Sequence, residues 1–477
     1  MGITQPAICL CHVRRGEARQ DTLGGACSCR APDQQSPHAT PERPGFAARH
    51  RTAIGPALSF GNQALSSACN FLTTILLTRA LGLEAFGFYT MAWLPLHFAM
   101  SLQLGLIVSP MMSIAEKRDR AEVDAYYSVV GIHQLIYVPV AAAAIFGALT
   151  FVTASSSPLH DIALPAAVAG ACYLSQDFLR RCLFARRRPL ALLLFDIINF
   201  GLRLGILAAL WHEDLISTGS ALWVLAAAAA ASAMCGLGIA GPFRWKPDTF
   251  WAVTRRQWRS ARWLVLTEAV QWMLGNSGLV VTAGLFGPRI LGALRVAQSL
   301  LSVMNVAREA LENIMPPLAA KALAESGPPG LRHVLSRALF VAVLISIAAV
   351  SGLGLFGPWL LHRLYGPEIL EFSWVILWSS LSFPTALMTV VLSCAFRTLE
   401  QTRSIFLAVL AGAGFNLVAV FPAAAVFDVA GLIAVTLLSQ LIVLAVLAAL
   451  VIRIPGLWRD ASLLGEAQRM RALKQLQ

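Results

Sequence analysis

The sequence predicts an all-α membrane protein of about twelve transmembrane helices, arranged as two six-helix lobes related by an internal repeat. Apolar runs of membrane-crossing length recur along the chain, basic residues gather in every second loop, and one glycine-bearing turn occurs twice. Composition agrees: 57% of the 477 residues are hydrophobic, 13% are charged and the mean hydropathy is +0.67. A soluble chain carries about 25% charged residues, so water is not the main solvent for this surface. The net charge of +12 is not gathered on a soluble domain, which excludes nucleic acid and leaves anionic membrane lipids or an anionic cargo as partners.

Residues 1–52 are rich in Arg, Gln, Pro, Ser and Gly and hold no apolar stretch of signal-peptide length. They read as a disordered cytoplasmic tail, or as an over-long start assignment. Cys9, Cys11, Cys27 and Cys29 form two C-x-C pairs beside His12. Structural zinc usually takes C-x-x-C spacing, so no metal site is expected there. Cys69, Cys172, Cys182, Cys235 and Cys394 lie in apolar segments as small hydrophobes.

The N-terminal lobe, 53–241, holds apolar runs at 54–78, 88–112, 127–152, 162–183, 190–211 and 217–241. Those of the C-terminal lobe, 263–452, lie at 263–286, 290–315, 335–357, 370–395, 404–426 and 429–452. Each is near the length needed to cross about 30 Å of hydrocarbon. Alternate loops hold 22 Lys and Arg, from Lys117 to Lys474, while the opposite loops hold only Arg79, Arg289 and Arg363. By the positive-inside rule both termini, including the tail 453–477, are cytoplasmic. The chain is then a multi-pass membrane protein.

The repeat lies after the first and seventh runs. Leu81-Gly82-Leu83-Glu84-Ala85-Phe86-Gly87 is matched by Phe286-Gly287-Pro288-Arg289-Ile290-Leu291-Gly292, with both glycines 205 residues apart. Repeats of this kind are common in transporters, where substrate sits between the lobes; chance likeness of Gly-rich turns is the plainer alternative. Between the lobes, 242–262 interleaves Trp245, Trp251 and Trp258 with arginines. That pattern suits an interfacial linker helix on the inner leaflet, with an irregular loop as the alternative.

Charges inside the spans are costly and mark interior faces. On the fifth span Asp196, Asn199 and Arg203 form one stripe at i, i+3 and i+7. An Asp and an Arg near the centre cost roughly 5–7 kcal/mol, against roughly 4–8 returned by its Leu, Ile and Phe residues, so this helix needs partners. On the eighth, Arg295, Gln298, Ser302, Asn305, Glu309 and Glu312 follow one helical face, with Arg308 beside it. Glu268, Gln271 and Asn276 lie on the seventh span, Asn70 on the first, and Asp177, Arg180 and Arg181 on the fourth. Two readings stand for each stripe: neutral ion pairs in a packed core, such as Asp177 with Arg181 or Asp196 with Arg203, or a hydrated cationic cavity for an anionic cargo. The cavity reading takes Arg203, Arg295, Arg308, Arg180, Arg181, Asn70, Asn276, Gln298 and Asn305 as substrate-binding. It takes Asp196, Glu268 and Glu309 as carboxylates for a coupling proton or cation. His97 and His133 read as packed residues.

No G-x-x-x-x-G-K-[ST] phosphate loop and no H-E-x-x-H occurs, so the reading is not of an enzyme and calls for no cofactor. The run from Asn70 to Gly82, continuing through Phe86-Gly87-Phe88-Tyr89, resembles the start of the polysaccharide transporters (oligosaccharide flippases) of the multidrug, oligosaccharidyl-lipid and polysaccharide exporter superfamily. Leu364-Tyr365-Gly366-Pro367-Glu368 is similar to another turn of that family. The resemblance spans roughly 53–452. It implies two lobes in a V, a cationic cavity and ion-driven alternating access. The cargo it implies is a lipid-linked, undecaprenyl-pyrophosphate-type oligosaccharide, with a glycan polymerase and chain-length machinery as partners. The twelve-helix count departs from the fourteen of lipid II flippases. A multidrug or cation exporter of the same superfamily would want an acidic or aromatic cavity. A major-facilitator carrier would show G-x-x-x-D-R-x-G-R near 113–126, which this sequence lacks, and glycan polymerases carry a long outer loop that is missing here.

Overall fold

The computed structural model describes residues 46–115, 120–151, 157–186, 188–240, 247–302, 304–399, 401–454 and 457. The N-tail cysteine pairs, Lys117, Arg118, Arg187, Arg244, Lys246 and the C-tail from 458 lie outside the described residues. Two compact units divide the chain, Met1–Thr52 and Ala53–Gln477. In the first, residues 46–52 are helical, so helix begins inside the stretch expected to be a disordered tail; Ala47, Ala48, Arg49 and Arg51 are strong helix formers.

The second unit is all-helical, with no strand among the described residues. Among its described residues, nine helical stretches are long and apolar enough to cross a membrane. Three of them, Ala64–Met112, Val306–Tyr365 and Arg403–Ile452, run to 49, 60 and 50 residues, more than twice the length of one crossing. Each is broken once, at Gly82, Gly327 and Asp428, whose φ values are 75°, 65° and 51°. Positive φ is where an L side chain meets its own backbone, so glycine is the ordinary occupant. Dividing the stretches at these residues gives twelve crossings, numbered here as spans 1 to 12 from the N-terminus, with the helix Gly287–Ser302 counted as the first part of span 8.

Span 4, Leu159–Ala185, is the hub of the N-terminal lobe and packs against spans 3, 5 and 6. Its small residues Ala163, Ala166, Ala169 and Gly170 are buried, which lets helix backbones approach closely. In the C-terminal lobe the helix Ser382–Thr398 of span 10 packs on spans 9, 11 and 12, and span 7 lies along the last helix. The two lobes share an apolar core in which Leu77, Leu83 and Phe86 pack with Leu291, Leu361 and Tyr365, and spans 2 and 7 also meet, at Phe98 with Trp272 and at Gly105 against the Val265 backbone.

That shared core is built from the sequence repeat. Gly82 and Gly287 both adopt positive φ, so each lobe opens with the same sharp turn. The second pair crosses the lobe interface reciprocally: a methyl group on Gly87 would fall on the Pro288 backbone, and one on Gly292 on the Leu83 carbonyl. Residues 83 and 288 hold the same position in the repeat, so the contacts obey a pseudo-twofold. Arg79 then donates from span 1 to the Arg363 and Leu364 carbonyls at the end of span 9, at 2.5 and 2.8 Å. It caps a helix of the other lobe with a cation.

Two elements differ from the sequence reading. Pro247–Leu285 is one continuous helix, so the stretch 242–262, expected as a separate interfacial helix, is from Pro247 onward the extension of span 7. After Pro247 the sequence offers no Gly or Pro before Gly275 to end a helix. The extension packs on the N-terminal lobe, burying Val253, Gln257 and Ala261 while Trp251, Trp258 and the arginines stay exposed. Span 8 is interrupted between Ser302 and Asn305, so its polar face is not a single stripe.

Candidate functional site between the lobes

Span 5, Pro189–His212, carries the buried polar stripe. Asp196, Asn199 and Arg203 are 0%, 1% and 4% exposed. The 3.6-residue period that puts them on one face turns that face inward, because the rest of the helix is Leu, Ile and Phe facing apolar surroundings. Their partners differ from the ones the spacing suggested. Asp196 is held by Arg180 Nε of span 4, at 2.9 and 3.1 Å to its two oxygens. Arg203 instead donates from Nη2 to Asn70 Oδ1 of span 1 at 2.7 Å, and its guanidinium lies 4.9 Å from the centre of the Phe200 ring. The Nε of Arg203 and Oδ1 of Asn199 have no hydrogen-bond partner among the described residues. A buried donor left unmade costs about 1–3 kcal/mol, more on a charged group.

Arg295 reaches the same place from span 8. Its Nη1 donates to Gln298 Oε1, one turn on, at 3.3 Å, and it makes no ion pair among the described residues. A cavity of about 260 Å³ lies between the lobes, lined by Asn70 and Thr73 of span 1, Arg203 of span 5, and Arg295, Gln298 and Ser302 of span 8. No Asp or Glu is among its lining residues. One wall is aromatic: Phe86, Tyr89 and Trp93 follow one face of span 2, with ring centres 6.1 and 6.4 Å apart, and Tyr173 meets Trp93 at 5.4 Å. Two cations in a confined space without a carboxylate make it an anion-attracting gap, since charge is poorly screened away from bulk water.

The structure therefore brings together four of the nine residues taken as substrate-binding, Asn70, Arg203, Arg295 and Gln298, with Ser302 of the same polar face. The others are placed elsewhere. Arg180 is bound to Asp196, and Arg181 pairs with Asp177 at 3.0 Å. Arg308 pairs with Glu312 at 3.1 Å and lines a different cavity inside the C-terminal lobe. Asn276 donates to its own helix, at the Trp272 carbonyl, at 2.9 Å. Glu268 and Glu309 are half-buried on spans 7 and 8, and the Asn305 side chain lies outside the described residues. His133 bonds Thr254 at 2.9 Å. The aromatic wall was passed over in the sequence, although the spacing of Phe86, Tyr89 and Trp93 carries the signal. Also missed was a buried chain in the C-terminal lobe, in which Ser277 donates to Asn416 and Asn416 to Ser439, the latter at 3.3 Å.

Residues 264–421 match the MatE family model. No curated protein matches the chain at a significant level. Among solved structures the chain is similar to the lipid II flippase MurJ in an inward closed conformation, with a TM-score of 0.64 and 12% identity, over 84% of this chain and 87% of that one. It is similar to an inward-facing multidrug resistance transporter of the MATE family of the MOP superfamily, with a TM-score of 0.62 and 15% identity over 85% and 94%. A third similar structure is a MOP superfamily transporter from Pyrococcus furiosus described as having a binding pocket of reverse polarity, with a TM-score of 0.60 and 12% identity over 88% and 95%. The chain thus has the fold shared by MurJ and the MATE transporters, and the first four spans of its second lobe and most of the fifth carry the MatE pattern.

Proposed function

We propose that this protein is a flippase that moves an anionic, lipid-linked oligosaccharide or polysaccharide precursor across a bacterial inner membrane by ion-coupled alternating access. One observation carries the reading: Arg203 of one lobe and Arg295 of the other line a single gap that contains no carboxylate. A guanidinium fork matches phosphate oxygens, and a pyrophosphate spanning both arginines would satisfy the idle Nε of Arg203. The match to MatE and the likeness to a lipid II flippase support transport of this kind. On this reading the termini are cytoplasmic and the shared apolar core is the outer seal. The candidates for coupling carboxylates are Glu268, Glu309 and Asp196, the last held by Arg180.

The aromatic wall of Phe86, Tyr89 and Trp93 favours a second reading, a multidrug or cation exporter of the same superfamily, because ring faces attract cations. Proteoliposomes separate the two. The flippase reading predicts that a fluorescent polyprenyl diphosphate glycan crosses the bilayer and that Arg203→Gln or Arg295→Gln slows it at least about tenfold, the loss of one charge-assisted hydrogen bond. Transport of a lipophilic cation instead, undiminished in both variants, would establish the exporter.

A further inference from the structure

The second cavity, inside the C-terminal lobe, has a volume of about 550 Å³, within the range of small-ligand sites at roughly 300–1,000 Å³. Its chemistry differs from that of the gap between the lobes. Its one carboxylate, Glu312, is already neutralised by Arg308. The other charged lining residue, Arg397, is exposed, and the rest of the polar lining is uncharged hydrogen-bonding groups, among them Gln271 of span 7, Thr389 and Ser393 one turn apart on span 10, and Gln440 of span 12. Gln271, Thr389 and Ser393 make no hydrogen bond to any described residue, although Ser393 is buried. Trp378 adds a flat apolar face on the same cavity. Gly275 keeps the space open, with nothing within 4 Å of the point a methyl group would take.

Spare amides and hydroxyls beside an indole suit a ligand that is rich in hydroxyls and carries no charge, since each polar group left dry in such a pocket is costly. The two cavities also adjoin. Gln298 lines both, and its Oε1 accepts the hydrogen bond from Arg295.

We propose that this pocket is a sugar subsite: it holds uncharged sugar residues of the cargo while Arg203 and Arg295 hold the adjoining phosphates. The inference rests on the flippase reading for the identity of the cargo and adds that the glycan next to the phosphates is neutral.

The test uses the full chain in lipid nanodiscs and two probes, farnesyl diphosphate and farnesyl diphosphate bearing a neutral disaccharide. The disaccharide probe binds about tenfold or more tightly than the bare diphosphate, the worth of one or two net hydrogen bonds. Gln271→Leu and Thr389→Val break no hydrogen bond among the described residues, so both variants fold. Together they erase the disaccharide's advantage and leave the affinity for the bare diphosphate unchanged. If the advantage persists in the double variant, or the wild type shows none while binding the bare diphosphate through its arginines, the sugar subsite is overturned and the flippase reading stands. Should the bare diphosphate fail to bind while the disaccharide probe binds in a Gln271- and Thr389-dependent way, the phosphate reading falls and the sugar pocket is supported. Binding of neither probe overturns both.

Discussion

At the scale of single residues, the buried charges divide into those that are answered and those that are not. Asp196 is fully buried and accepts from Arg180 Nε at both of its carboxylate oxygens. Removing one partner of such a pair leaves an uncompensated charge, whereas removing both is often neutral. Asp196→Leu is therefore expected to destabilise the protein by on the order of 3 kcal/mol, and the double variant Arg180→Met with Asp196→Leu to recover most of that loss. Thermal unfolding of the three purified variants in one detergent checks it; a double variant no more stable than Asp196→Leu would show that the pair is not a self-contained unit. Arg203 behaves oppositely. It is nearly as buried, yet among the described residues it has a neutral amide and a phenyl ring for company, no carboxylate, and an idle Nε. A stability-driven core would not leave it so, which is why it is assigned to cargo rather than to packing. Sequence spacing identified Asp196, Asn199 and Arg203 as an inward stripe, since a helix fixes which residues share a face. It did not identify the partners. Arg180 is 16 residues from Asp196 and Asn70 is 133 from Arg203, so both pairings depend on how spans 4, 5 and 1 are set against one another.

At the scale of elements, the twelve spans were legible because apolar length is set by the thickness of the membrane, and no tertiary detail is needed to read it. The repeated glycines were legible for a related reason: a turn that needs positive φ admits few residues. Two features were not. The fusion of 247–262 with span 7 follows from the lack of any helix breaker, but its docking on the N-terminal lobe through Val253, Gln257 and Ala261 depends on a complementary surface. That surface includes a π-helical turn at Leu104–Val108, where Gln257 Nε2 reaches the Leu106 and Ile107 carbonyls at 3.4 and 3.3 Å. The interruption of span 8 between Ser302 and Asn305 is likewise absent from the periodicity. At the seal, Arg79 holds the end of span 9 across the lobe interface. With the side chain exposed, the bonds are worth about 1 kcal/mol, or roughly fivefold in the balance between closed and open. Arg79→Ala should thus raise the labelling rate of a cysteine placed at Ser299, probed from the sealed side with an impermeant thiol reagent in a cysteine-free background, by about that factor. An unchanged rate would mean the seal does not depend on Arg79.

For the whole molecule, the pseudo-twofold explains why the site lies where it does. Two copies of one helix–turn–helix unit meet at Gly87 and Gly292, while spans 2 and 7 meet separately at Gly105 and Val265. Below that seal, span 5 of the first lobe and span 8 of the second each contribute one arginine to the same gap. A rocking motion about the seal changes the distance between them, so a ligand held by both would sense, and bias, the state of the molecule. The central claim is that the two arginines act on one anion. A double-mutant cycle on farnesyl diphosphate binding to the full chain, with Arg203→Gln, Arg295→Gln and the pair, tests it most directly. The account predicts that each single change weakens binding by about ten- to a hundredfold and that the double change costs less than the product, with a coupling of at least about 1 kcal/mol. Losses that simply multiply, or affinity indifferent to either arginine, would contradict it.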